Sequence, residues 1–210
     1  MTDNARSSAH QLLLHARAGQ SAALGTLLDS YRNYLYMLAS SRIRGRLALR
    51  ASPSDVVQET FAQACESFPQ FRGTSEAELL AWLRRVLATR LARLCERNLG
   101  AGKRDIRREV SLDDICASLD RSTAHLKSVL QAKNPSPSSH FDQREQAVVI
   151  ADLLASLPED YREVLMLRHV EGLPFPEVAE RLGRSHGAVR MLWMRAIEAL
   201  RQRMHANGLV

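Results

Sequence analysis

With 210 residues, the chain is long enough for one large or two small domains, and its 45% hydrophobic and 25% charged content is typical of globular proteins. Aromatic residues make up only 5%, so the core must consist mainly of leucine, valine and alanine, which favours helices over sheets. The net charge of +6 indicates an anionic partner, nucleic acid above all, although a basic surface that only aids solubility would give the same charge.

The cysteines and the apolar runs indicate the compartment of the protein. Cys65, Cys95 and Cys116 are odd in number and far apart, which argues against a disulfide framework and a cysteine zinc site. The N-terminus shows no signal-peptide pattern, and the longest fully apolar run, residues 147–151, is too short to span a membrane. We therefore expect a cytoplasmic protein without membrane insertion.

The first part of the chain is predicted to be helical. Apolar residues at spacings of three and four continue from residue 8 to about residue 49, with Gly19 and Gly45 as breaks. A second helix is predicted to start at Pro53, with Ser52 as its cap and Asp55 three residues after the cap. Its inward stripe is expected to consist of Val57, Phe61, Ala64, Cys65 and Phe68.

The opposite face of this second helix is polar and acidic. Asp55, Gln58 and Glu59 lie together there, and DNA would repel such a face. A protein partner is one interpretation. The other is that Asp55 only caps the helix while Gln58 and Glu59 are solvated, and the spacing by itself favours this second one.

A third helix is predicted from about residue 76 to residue 97, and the basic character of the chain is concentrated in residues 84–108, which begin in this helix and continue beyond it. Between residues 84 and 108 there are nine basic and two acidic residues. One helical stripe combines an aromatic ring with cations, which suits a phosphate backbone and a stacked base: Trp82, Arg85, Thr89 and Arg93. A solvated basic face with Trp82 in the core fits the same pattern. The inward residues are expected to be Leu79, Leu83, Val86, Leu87 and Leu94.

The middle of the chain changes in composition. Residues 134–139 read NPSPSS, which cannot hold a helix or pack into a core. We interpret residues 111–142 as a flexible linker between two helical domains at residues 8–110 and 143–206. No segment alternates with period two for long enough to form a strand, so the fold class is predicted to be all-α.

Four helices are predicted after the linker, and the last two form a helix-turn-helix. The helices are expected at about residues 143–157, 159–171 and 175–182, followed by a longer one capped by Ser185. Ala179 suits the point where the last two helices touch, and Gly183 can take the positive φ of the turn. An ordinary helical hairpin with a glycine cap is the alternative.

If the last helix lies in a major groove, its early and outward side chains contact DNA. The candidates are Arg184, Ser185, His186, Gly187, Ala188, Arg190, Met191, Met194 and Arg195. The apolar run at 191–194 divides between two faces, because Leu192 and Trp193 follow Val189 at +3 and +4. Leu192 and Trp193 are therefore expected to pack inward, and Met191 and Met194 to contact thymine methyl groups.

Three segments together resemble bacterial RNA polymerase sigma factors of the extracytoplasmic-function (ECF) type. They are ASPSDVVQETFAQACESFPQFRG, AELLAWLRRVLATRLARL and LPEDYREVLMLRHVEGLPFPEVAERLGRSHGAVRMLWMRAIEALR. The likeness covers roughly residues 10–110 and 143–204. It departs from the family in the length of the linker and in Met191-Leu192, where many members have Ser-Arg, and Ile197, where many have Arg.

The resemblance implies a non-catalytic protein that binds core RNA polymerase and promoter DNA. It implies that Asp55, Gln58 and Glu59 contact the polymerase, and that the helix-turn-helix reads the upstream promoter element as duplex. The downstream element, including the single-stranded non-template strand, would be held by the stripe named above and by Phe71, Arg72, Gly73, Thr74 and Ser75. An inhibitory anti-sigma partner is also expected from the family.

Two other functions agree less well with the sequence. A stand-alone helix-turn-helix regulator would bind paired half-sites without polymerase, but it has no need of the basic segment at 84–108. A nucleic-acid enzyme is disfavoured, since the sequence shows no paired carboxylates, phosphate loop or His/Cys cluster at working spacing. No catalytic residue, cofactor or metal site is predicted.

Overall fold

The structure is a computed structural model and describes residues 2–43, 47–99, 115, 117 and 143–207. The chain divides into two compact units, Met1–Leu119 and Asp120–Val210. This division falls inside the predicted linker at 111–142, which lies almost wholly outside the described residues. The predicted break at Gly45 and the basic residues at 103–108 also lie outside them.

The described part of the N-terminal unit contains five helices. They are α1 (Thr2–Arg17), α2 (Ser21–Asp29), α3 (Arg32–Ser40), α4 (Pro53–Ser67) and α5 (Glu76–Leu99), with a short 3-10 turn at Phe68–Gln70. Gly19 makes the predicted break with a φ of 89°. A second break, between α2 and α3, was not predicted, because it contains no glycine or proline. There the hydroxyl of Ser30 donates to the carbonyl of Leu27, so a side chain satisfies the end of the helix.

Leucines from α2, α3 and α5 form much of the core of the N-terminal unit. The fully buried ones include Leu27, Leu35, Leu38, Leu79, Leu83 and Leu87. Tyr31 is buried with them and donates its hydroxyl to Oε1 of Glu76 over 2.9 Å, which ties α2 and α3 to the start of α5. The inward face of α5 is thus largely as predicted, although Val86 and Leu94 are only half-buried.

The inward stripe of α4 differs from the predicted one. Val57 and Ala64 are buried, but Cys65 is exposed, so its place in the stripe was wrong. Thr60 is buried instead, and its hydroxyl donates to the carbonyl of Val56 over 2.7 Å. This bond within one turn satisfies the hydroxyl, which is how a polar residue can occupy a core position that an apolar pattern does not reveal.

Four helices form the described part of the C-terminal unit, as predicted. They are α6 (Gln143–Ala155), α7 (Glu159–Leu165), α8 (Phe175–Leu182) and α9 (His186–Ala206), with a wider π turn at Met166–Val170. The second helix was expected to reach Glu171 in regular form, but it widens at Met166. The core of the C-terminal unit includes five completely buried residues: Val164, Val178, Val189, Ala196 and Leu200.

The all-α fold class is confirmed for the residues that the structure describes, which contain no strand. None of the described helices is both long enough and apolar enough to cross a membrane. Each unit is therefore a set of helices around an aliphatic core, and the polar features that concern function lie on their surfaces.

Candidate nucleic-acid interface

The turn between α8 and α9 has the geometry that its glycine predicts. Gly183 has a φ of 60°, in the left-handed region where glycine is least strained. The backbone N–H of Arg184 donates to the carbonyl of Ala179, which closes the end of α8. Ser185 then caps α9 by accepting from the N–H of Ala188, and the buried Val178 and Val189 lie on the apolar sides of the two helices. The predicted helix-turn-helix is confirmed.

The candidate DNA-contacting side chains are all exposed. This group consists of Arg184, Ser185, His186, Gly187, Ala188, Arg190, Met191, Met194 and Arg195. Met191 and Met194 expose 52% and 56% of their surfaces, whereas Leu192 exposes only 9%. The predicted division of the apolar run is therefore present in the structure. The two methionines also line a groove of about 680 Å³ that reaches Tyr161 on α7.

Two of the candidate arginines have different surroundings. Nη2 of Arg184 lies 2.6 Å from Oδ2 of Asp160 on α7, an ion pair that was not predicted. The guanidinium carbon of Arg190 lies 5.5 Å from the ring centroid of Phe175, the first residue of α8. One arginine is thus neutralised by a carboxylate and the other rests on an aromatic ring.

Trp193 is partly buried and anchors the middle of α9 to the rest of its unit. Its indole N–H donates to Nε2 of His169 over 2.7 Å, and its ring lies edge-on to Phe175 at 5.5 Å. His169 belongs to the π turn and is only 4% exposed. The inward position of Trp193 was predicted, but this polar anchor was not.

A second candidate site lies on the N-terminal unit, where the loop before α5 is tightly fixed. The ring of Phe71 lies 5.1 Å from that of Trp82, and a Cβ added to Gly73 would come within 2.3 Å of the Phe71 ring. Nη1 of Arg17 on α1 donates to the carbonyl of Gly73 over 3.1 Å. Because the Phe71 ring leaves no room for a side chain at residue 73, close packing requires glycine there.

Glu78 orders the rest of this loop. Its Oε2 accepts from the backbone N–H groups of Thr74 and Ser75 at 2.9 and 3.0 Å, and from the Ser75 hydroxyl at 2.9 Å. These bonds lower the pKa of Glu78, the Thr74 N–H being the largest cause. Sequence reasoning missed both Glu78 and Arg17. The spacing Ser75-x-x-Glu78 is that of a capping box and could have identified the first.

The predicted aromatic and cationic stripe lines one shallow depression of about 300 Å³. It contains Trp82, Arg85, Thr89 and Arg93, together with Gln63, Val86 and Arg90. Arg85 and Arg93 are exposed, and Trp82 is half-buried, so its ring is shared between the core and this surface.

Two other arginines of the basic segment at residues 84–108 are less accessible to a ligand than Arg85 and Arg93 are. Arg84 is 8% exposed. Arg90 is held on α4, where its Nη2 donates to Oε1 of Gln63 over 3.0 Å and its Nη1 lies 4.0 Å from Oε2 of Glu59.

On α4, Asp55 forms the capping box that its position predicts. Its carboxylate accepts from the N–H of Ser52, and the Ser52 hydroxyl accepts from the N–H of Asp55, each over 3.1 Å. The Ser52 hydroxyl and N–H lower the pKa of Asp55. Gln58 and Glu59 are exposed beyond it. Within the described residues, no group of three or more His, Cys, Asp or Glu side chains could hold a metal ion.

Comparison with known proteins gives consistent matches. Residues 147–200, which contain the helix-turn-helix, match the family "Sigma-70, region 4". The chain is 28% identical over 193 residues to the ECF RNA polymerase sigma-E factor of Haemophilus influenzae, covering 92% of this chain and 93% of the relative. The Escherichia coli K12 factor of the same name is 28% identical over 189 residues, 90% of each chain.

A solved structure described as "Structure of CnrH in complex with the cytosolic domain of CnrY" is also similar. It shares 23% identity, covering 95% of this chain and 98% of that one, with a TM-score of 0.36. The family and relatives confirm the resemblance that the sequence motifs indicate.

Proposed function

We infer that this protein is a sigma factor of the ECF type, which binds core RNA polymerase and directs promoter-specific transcription initiation. The observation that carries this conclusion is the match of residues 147–200 to sigma-70 region 4, on a helix-turn-helix whose candidate reading side chains are exposed. The likeness to sigma-E factors over nine-tenths of the chain extends it to the N-terminal unit. Sigma factors have no catalysis of their own, and the protein would act with the polymerase in the cytoplasm.

The start of α9 would read the upstream promoter element as duplex. Its early residues, Gly187 and Ala188, have no bulky side chains and permit a close approach to the groove. Arg190 and Arg195 supply donors for guanine or phosphate, and Met191 and Met194 supply apolar contacts for thymine methyl groups. The Met191–Met194 face is supported by its exposure next to the buried Leu192.

The N-terminal unit would hold the opened downstream element. The depression around Trp82, Arg85 and Arg93 combines an aromatic ring with two exposed cations, which suits a single strand with a stacked base. The loop at residues 71–75 stands beside it through the contact of Phe71 with Trp82. Because this loop is ordered by Glu78 and Arg17 before any ligand binds, it would hold an unstacked base of the non-template strand at a low entropic cost.

The exposed polar face of α4 would contact core polymerase. Asp55 has a structural role there as a cap, so its replacement by itself cannot separate folding from binding. Gln58 and Glu59 carry no capping role. An inhibitory anti-sigma partner, expected for such proteins, would compete for one of these surfaces.

Reconstitution with core polymerase tests the function. The full chain is added to core polymerase on fragmented genomic DNA, and the transcripts are sequenced. We expect transcripts that depend on the chain and share one upstream element. Absence of any such transcript would contradict the proposal, and tight binding of the free chain to paired half-sites would indicate a stand-alone regulator instead.

Variants on α4 test the polymerase contact. Gln58→Ala is expected to weaken binding to core polymerase without changing stability. Ser52→Ala is the matched control, since it removes half of the capping box and costs about 1 kcal/mol but leaves the polar face in place. Equal polymerase affinity for the wild type and Gln58→Ala would remove Gln58 from this interface.

A further inference from the structure

Phe175 lies at the centre of a cluster that joins the π turn at Met166–Val170 to α9, the helix proposed to read DNA. Two guanidinium carbons lie near its ring centroid, that of Arg168 at 4.9 Å and that of Arg190 at 5.5 Å. The rings of Trp193 and His186 meet it edge-on at 5.5 and 6.2 Å. One half-buried ring thus contacts three side chains of α9 and one of the π turn.

The contact with Phe175 leaves the charge of Arg190 available. Among the described residues no carboxylate lies within ion-pair distance of Arg190, whereas Arg184 is paired with Asp160 at 2.6 Å. An aromatic face attracts a guanidinium group through the ring quadrupole and does not occupy its N–H donors. Arg190 is therefore held in place with its donors still free for a nucleic acid.

The ring itself cannot easily move. Phe175 packs against Trp193, and Trp193 is tied to the buried His169 by the 2.7 Å hydrogen bond. On the same ring, Arg168 is anchored by donating its Nη1 to the carbonyl of Leu173 over 2.9 Å. The two arginines on the Phe175 ring therefore differ. Arg168 is fixed to the backbone, whereas Arg190 is exposed and has no ion-pair partner among the described residues.

We propose that Phe175 is a positioning residue for Arg190 in the reading of the upstream element. The ring holds the guanidinium plane so that two of its N–H groups reach O6 and N7 of one guanine, and Phe175 makes no base contact of its own. The proposal rests on the proposed function and adds a specificity-determining residue outside the reading helix. Stacking on a partly exposed ring confers a preference of about two- to fivefold.

A double-mutant cycle tests this mechanism. Duplexes are first selected from a randomised pool by the wild-type chain bound to core polymerase. Binding to the selected duplex and to its single-base variants is then compared for wild type, Phe175→Leu, Arg190→Ala and the double variant. We expect Phe175→Leu to lower the preference at one G·C pair about two- to fivefold. In the Arg190→Ala background the same change should have no further effect. Phe175→Tyr, which keeps the aromatic ring, should show the wild-type preference.

The cycle also separates positioning from folding. Arg190 is exposed, so Arg190→Lys keeps the fold and the charge but loses the planar fork that reaches O6 and N7 of one guanine. In that background Phe175→Leu is expected to leave the preference among base pairs unchanged, because an ammonium group on the ring cannot make the two-donor contact. An equal loss from Phe175→Leu in every background, or at all base pairs alike, overturns the positioning role and leaves the sigma function standing. Failure of the wild-type holoenzyme to select any duplex overturns the proposed function itself.

Discussion

Trp193 donates its indole N–H to Nε2 of His169 over 2.7 Å, across 24 residues of chain. His169 is 4% exposed, so this hydrogen bond joins the interior of the π turn to the middle of the reading helix. An imidazole that accepts at Nε2 carries its proton on Nδ1 and is neutral. The bond therefore fixes both the tautomer of His169 and the direction of the Trp193 ring.

Trp193→Phe tests the value of this bond. Phenylalanine keeps most of the ring contact with Phe175 but leaves a buried acceptor on His169 without its indole partner, which costs about 1–3 kcal/mol. Hydrogen exchange of the α9 amides in the full chain measures the loss of local stability. Trp193→Ala removes the ring as well, but its cost should stay below the roughly 3–5 kcal/mol of a fully buried aromatic, since Trp193 is only partly buried. Unchanged protection in Trp193→Phe would show that the bond adds nothing.

Substitution of the two exposed methionines should change sequence preference and leave stability intact. Met191→Ala and Met194→Ala remove side chains that are more than half exposed, so unfolding should change by about 0.5 kcal/mol or less. Selection of duplexes by each holoenzyme should show a weaker preference at one A·T pair. Leu192→Ala, between them, is the control, with an expected cost of about 2–5 kcal/mol. Unfolding by both methionine variants with an unchanged preference would reverse this assignment of faces.

Local signals explain which features the sequence could predict. The capping box at Ser52 and the left-handed turn at Gly183 each involve residues within four or five positions, so both were found. The division of residues 191–194 follows from helical period and one buried reference, Val189. Ser75-x-x-Glu78 has a local signal of the same kind, and its role could also have been predicted.

Long-range pairs could not be predicted in this way. The bonds of Arg184 with Asp160 and of Trp193 with His169 depend on how α9 packs against earlier parts of its unit. No periodicity specifies such a partner. Arg84 shows the same limit, because it looks like one more cation of a basic helix and is nevertheless 8% exposed.

Asp160 should compete with DNA for Arg184. Their ion pair is exposed, and such pairs contribute about 0–1 kcal/mol, so Asp160→Asn should change stability little. Freed from its partner, Arg184 should bind a phosphate, raise the affinity of the holoenzyme for the upstream duplex and steepen its salt dependence by about one counterion. Glu163→Gln, one turn along α7, makes the same charge change and is the control. The same gain in an Arg184→Gln background would contradict the competition.

Because Glu78 orders the 71–75 loop as a carboxylate, the loop should lose its order in the acid pH range. Its hydrogen bonds hold the pKa below the ordinary value of 4.5, so the folded loop favours the carboxylate. The stabilisation is therefore complete above that value and is lost as the pH falls through the lowered pKa. The protection of the Thr74 and Ser75 amides from hydrogen exchange, taken relative to the intrinsic exchange rate at each pH, should be constant from neutral pH down to about that value and should then fall. A loss of protection that begins near neutral pH would contradict this assignment.

Glu78→Gln should reproduce the acid effect at neutral pH. The amide keeps the size of the side chain but lacks the charge that three close donors share, so the loop should lose protection and its fit to an unstacked base. Opening of promoter DNA by the holoenzyme, followed with a fluorescent base in the non-template strand, should slow several-fold, while upstream duplex binding stays unchanged. Glu66→Gln, an exposed change of equal charge on α4, should open DNA at the wild-type rate. Slowing of both variants alike would point to net charge and away from the loop.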